Sequence, residues 1–150
     1  MRLVTLHPGQ LIDLAINLSD DVFFLKLKRS RVRGKVLKTK GVLDYLKSFM
    51  IAFSRSTDQD LSELVEFNVR RRQIRVGWLF NRPIVAYIYR KHKYIHSNLL
   101  LTYFTIELEK IKPDAVLLWN GSLMPGSILK LAAKHLAVPI TYFENGFFPG

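Results

Sequence analysis

One carboxylate stands apart in the last third of this 150-residue chain. Glu144 is the only acidic residue after Asp114, and it directly follows an apolar run, Ile140 to Phe143. A carboxylate at the mouth of a sheet can serve as general base, general acid or nucleophile. It can equally accept hydrogen bonds from loop N–H groups and shape a turn. Asn145 and Gly146 come next, and a second polar cluster, Asn120-Gly121-Ser122, follows another apolar run, Ala115 to Trp119. Gly121 and Gly146 would let the backbone approach a ligand closely. Ser122 and a helix start near Pro125 would offer free N–H groups to an anion.

Other chemistry finds less support. His92 and His96 are four residues apart and could share a helical face, as metal ligands do. No third ligand is near them in sequence, and Lys91 and Lys93 flank the first, so a solvated basic face is the expectation and no metal is assigned. The chain has no cysteine, which excludes disulfides and thiolate chemistry. Gly121 to Gly126 lacks the Gly-Lys-Ser/Thr ending of a phosphate loop, and Met124-Pro125-Gly126 reads as helix entry.

The two polar clusters need elements to hold them. Ala115 to Trp119 is an unbroken apolar run of strand length, and Ile140 to Phe143 reads as a second buried strand. Between them, Pro125 to Leu136 has Ile128, Leu129, Ala132, Ala133 and Leu136 on one helical face with Lys130 and Lys134 opposite. Strand, helix, strand with short links predicts a βαβ unit on a parallel sheet covered on both faces. Ligands bind at the carboxyl ends of such strands, which is where both clusters fall. Further upstream, strands are expected at Arg2 to Leu6 and Val22 to Leu27, and a helix at Leu11 to Leu18. A basic loop, or a strand edge plus turn, is expected over Ser30 to Gly41, then an amphipathic helix over Val42 to Phe53. Ser56-Thr57-Asp58 offers an N-cap for a helix running toward Arg72. Pro83 suits the first turn of a helix beginning near Ile84, and another helical stretch runs from Asn98 to Ile111, ended by Pro113. The fold class is α/β, Rossmann-like, with flanking helices. The chain stops shortly after what reads as a central strand, so the expectation is a first domain, residues 1–150, with a second domain missing.

Charge limits the partners. The formal net charge is +11. Lys26 to Lys40 and Arg70 to Lys93 are two acid-free basic stretches. They attract polyanions: nucleic acid, anionic lipid or a phosphorylated substrate. The most apolar stretches, Val76 to Tyr89 and Asn98 to Ile106, are broken by Arg82, Pro83, Arg90, Lys91 and Lys93. A transmembrane helix needs about 20 nearly uncharged residues, and no secretory signal is visible, so a cytoplasmic protein, peripheral at a membrane, is expected.

The segment DAVLLWNGSLMPGSILKLAAKHLAVPITYFENGFFPG, from Asp114 to Gly150, resembles the capsule polysaccharide biosynthesis and export family, the bacterial β-Kdo transferases. That family pairs a strand ending in Trp-Asn-Gly with a later strand ending in Phe-Glu-x-Gly. Here these are Trp119-Asn120-Gly121 and Phe143-Glu144-Asn145-Gly146, and they cover about the last quarter of the chain. The resemblance implies a two-domain GT-B architecture in which the second domain holds most of the nucleotide. It implies CMP-Kdo as nucleotide-sugar donor, a lipid-linked anionic acceptor at the inner-membrane surface, and no other cofactor. Glu144 is then the expected catalytic residue, with Asn120, Gly121, Ser122, Asn145 and Gly146 lining the substrate cleft. A fragment without its second domain would be inactive alone.

The rival from another class is a basic module that binds nucleic acid or another anionic surface without catalysis. The charge favours it, with Arg70 to Arg75 as a backbone-contacting helix end. No helix-turn-helix, zinc or RNA-binding signature accompanies that charge, so a nucleic-acid partner is not expected.

Overall fold

The computed structural model describes residues 1–6, 21–25, 27, 32–33, 35–36, 59–119 and 124–143. The expected helices Leu11 to Leu18 and Val42 to Phe53, and the Ser56-Thr57-Asp58 cap, lie outside these residues. The chain divides into two compact units: 1–28 with 104–150, and 29–103.

The first unit is built on a four-stranded sheet of order β2-β1-β3-β4. The strands are β1 (Arg2–Thr5), β2 (Asp21–Phe24), β3 (Ala115–Trp119) and β4 (Ile140–Phe143), and each neighbouring pair is parallel. This is the expected α/β arrangement. Both faces of the central strands are buried, as a parallel sheet requires. Leu3 and Leu117 pack together on one face with Val22 and Ala115 against them. Val4, Val116 and Leu118, which alternate with them, are also buried. Asp114 fastens the start of β1 to that of β3. Its carboxylate accepts from the Arg2 N–H at 2.7 Å, and its own N–H donates to the Arg2 carbonyl at 2.9 Å.

Two strands depart from expectation. β2 begins at Asp21 and ends at Phe24, short of Leu27, although the Leu25 N–H still donates to the Thr5 carbonyl at 3.0 Å. β4 is an edge strand among the described residues, with Thr141 and Tyr142 exposed, where a buried strand was expected. Its apolar run fits one flank only, because nothing described pairs with its outer edge.

The second unit holds α1 (Gln59–Arg75), the single-turn helix α2 (Gly77–Phe80) and most of α3 (Pro83–Ile111). Pro83 opens α3, where its missing N–H costs nothing. The sequence had suggested two helical pieces here. No proline or glycine occurs between Ile84 and Ile111, and the helix runs unbroken for 29 residues, roughly 43 Å at about 1.5 Å per residue. Val32, Arg33, Lys35 and Val36 are helical within the segment expected to be loop or strand edge. Val32 and Val36, one helical turn apart, are both buried, which gives that local turn an apolar anchor.

Candidate active site

The site begins at the carboxyl ends of the sheet. β3 and β4 pair in register from Val116 with Ile140 to Trp119 with Phe143. Neighbouring parallel strands that end level with each other release their chains side by side. The chain therefore leaves Trp119 and Phe143 at adjacent points on one edge. The six residues assigned to the site, Asn120, Gly121, Ser122, Glu144, Asn145 and Gly146, all lie outside the described residues. What the fold fixes is the pair of strand ends that precede them.

Between these two exits stands the helix α4 (Gly126–His135), packed on β3. Ile128, Leu129, Leu131, Ala132 and Ala133 are buried while Lys130 is exposed, matching the two-faced pattern of the sequence. Leu131 joins the buried set, and Leu136 is only half-buried. Because α4 follows β3, its amino end lies at the carboxyl edge of the sheet. Pro125 precedes it, and among the described residues no side chain caps it. The N–H groups of Ile128 and Leu129 both donate to the Pro125 carbonyl, each at 3.1 Å. Lys134 and His135 fall in the last turn, where positive charge suits the helix dipole.

Ser127 is a residue that sequence reasoning passed over. It sits in the first turn of α4, is 1% exposed, and its hydroxyl has no hydrogen-bond partner among the described residues. Its signal in the sequence was slight: a serine directly after Pro125-Gly126, at a helix start. A second omission concerns β1. The strand order sets its carboxyl end beside that of β3, with Thr5 opposite Leu117.

The alternative sites take ordinary surroundings. The rings of His92 and His96 stack with centroids 6.3 Å apart. Among the described residues no three His, Cys, Asp or Glu side chains gather as a metal site would require. No helix of the described residues is long and apolar enough to cross a membrane. Lys130 places its ammonium 5.4 Å from the centre of the Tyr142 ring, a cation–π contact between α4 and β4.

Comparison with protein-family models finds no match, and no solved structure matches the chain. Among curated proteins, the chain is similar to Protein FixF of Sinorhizobium fredii (strain NBRC 101917 / NGR234), 34% identical over 93 residues. The matched stretch is 61% of this chain and spans 23% of that relative.

Proposed function

We propose that this chain is the first, Rossmann-like part of a GT-B-type glycosyltransferase of capsule polysaccharide synthesis. It would transfer Kdo from CMP-Kdo to a lipid-linked acceptor. The observation that carries the reading is the level pairing of Trp119 with Phe143. The two motifs that resemble the capsule family, Trp-Asn-Gly and Phe-Glu-x-Gly, both follow directly from that pair of strand ends. Trp119 and Phe143, 24 positions apart in sequence, end neighbouring strands of a parallel sheet, and α/β proteins bind ligands at the carboxyl ends of such strands.

In this proposal Glu144 takes the proton from the acceptor hydroxyl as that oxygen attacks the sugar. Asn120, Gly121, Ser122, Asn145 and Gly146 line the cleft, and the start of α4 adds a partial positive charge beside an anionic substrate. A second domain supplies most of the contacts to the nucleotide. The test is direct. The longer protein, incubated with CMP-Kdo and a lipid-linked acceptor, should release CMP and lengthen the acceptor by one Kdo. Failure of any nucleotide sugar to yield product, with the protein folded, removes the transferase reading.

A further inference from the structure

The α1–α2–α3 segment forms a helical hairpin whose register is fixed by two contacts. Ser62 Oγ and Tyr94 OH share a hydrogen bond of 2.7 Å, and the Arg90 guanidinium donates to the Glu66 carboxylate at 2.6 Å. One contact lies four residues further along α1 and four residues earlier along α3 than the other, so the helices run antiparallel. Continuing that register sets Arg70 level with Ala86 and Ile74 level with Arg82, with α2 closing the turn. Leu61, Val65 and Val69 form the buried stripe of α1.

The closed end of this hairpin is apolar where a globular protein is normally polar. Ile74 is 86% exposed, Trp78 77% and Ile84 75%, one from each of the three helices. Tyr87 and Ile88, one turn along α3 from Ile84, are also exposed. Among the described residues, the charge that the chain contributes at this end is positive. From Phe67 to Ile106 there are eight Arg or Lys residues and no acid, whereas Asp60, Glu63 and Glu66 sit toward the hairpin's other end. The helix dipole accounts for Arg72 and Arg75, which lie in the last turn of α1. It does not account for Arg82, which stands at the amino end of α3, where an acid would be favoured.

We propose that this hairpin tip docks into an anionic lipid surface, with Ile74, Trp78 and Ile84 entering the headgroup–acyl boundary and Arg72, Arg75 and Arg82 meeting lipid phosphates. Apolar side chains from three helices at one tip, with Arg72, Arg75 and Arg82 also exposed there, suit a fluid interface about 5–10 Å deep. Trp and Tyr favour that depth because their rings are amphipathic, and arginines can keep their heads in the polar layer. Nucleic acid would meet the charge but give Ile74, Ile84 and Ile88 no partner, since aliphatic groups do not stack on bases. The proposal rests on the transferase reading only for its purpose, which is to hold the site near a lipid-linked acceptor.

Flotation with vesicles of phosphatidylcholine, with or without phosphatidylglycerol, tests it. The protein should float with the anionic vesicles only, and its tryptophan emission should shift to the blue, a shift lost in Trp78→Phe. Ile74→Asp and Trp78→Asp should each weaken partitioning by roughly tenfold. Arg75→Gln and Arg82→Gln should each weaken it by roughly fivefold. These side chains are exposed, and circular dichroism confirms that each variant stays folded. Flotation unchanged by the Asp variants overturns the proposal, as does equal binding to neutral vesicles. Binding to duplex DNA or RNA without vesicle binding assigns the surface to nucleic acid and also overturns it. Transfer to a detergent-soluble acceptor is a separate readout: its loss with flotation intact strikes the transferase reading alone.

Discussion

Glu144 and Ser127 pose opposite questions at the scale of single residues. Glu144 carries the proposed chemistry, and Glu144→Gln keeps its size and much of its hydrogen bonding while removing its ability to accept a proton at neutral pH. A general base typically contributes about 10²–10⁴-fold to rate. In the proposed two-domain enzyme, transfer should fall by that order with the melting temperature nearly unchanged; a lowered melting temperature with near-normal turnover would make Glu144 a turn-shaping residue instead. Ser127 buries a hydroxyl that finds no partner among the described residues. An unsatisfied buried polar group costs roughly 1–3 kcal/mol, so removing it should not destabilise. Ser127→Ala should leave urea unfolding unchanged or raise stability by up to about 1 kcal/mol. A loss instead would show that the hydroxyl is bonded in solution.

The helix α4 ends in a way that its composition does not favour. Ala137 has a φ of 54°, in the left-handed region. The Ala137 N–H donates to the Lys134 carbonyl and the Val138 N–H to the Ala133 carbonyl, at 3.1 and 2.9 Å. That is the paired hydrogen bonding of a Schellman motif, in which glycine usually fills the position held here by Ala137. An L-residue there costs on the order of 1–2 kcal/mol, partly offset by the greater entropy glycine brings to the unfolded chain. Ala137→Gly should raise stability by about 0.5–1 kcal/mol in chemical denaturation. A decrease would mean that entropy outweighs the strain. The same element shows how pattern becomes placement. Its apolar face was legible because Ile128, Leu129, Ala132 and Ala133 recur at helical spacing, and all four are buried. The edge position of β4 was not legible, because an apolar run of strand length does not say how many neighbours a strand has.

Across the whole molecule, net charge and its distribution govern association. A chain of +11 with an acid-free stretch from Phe67 to Ile106 should be drawn to anionic vesicles from a distance. Screening shortens that reach from about 10 Å at 0.1 M salt to about 3 Å at 1 M. Raising salt across that range should weaken vesicle partitioning by roughly tenfold or more, leaving the smaller apolar contribution of Ile74, Trp78 and Ile84. Partitioning that ignores salt would assign the interaction to apolar insertion alone. The basic stretch Lys26 to Lys40 lies largely outside the described residues.

The sequence by itself determined the elements around the site: the strand Ala115 to Trp119, the helix that follows it, and the strand Ile140 to Phe143. Unbroken apolar runs and helical spacing are local properties, and a buried parallel sheet writes both directly into the chain. Tertiary structure decided what depends on residues far apart. It set β1 beside β3, with Thr5 opposite Leu117. It joined Ile84 to Ile111 in one helix, and through the Ser62–Tyr94 and Glu66–Arg90 contacts it gathered Ile74, Trp78 and Ile84 at one tip. In the linear chain these three apolar residues lie among arginines, and neither their type nor their spacing says what covers them. Only the pairing of the helices shows that they face outward, because exposure is set by which neighbours cover a side chain and not by its own type.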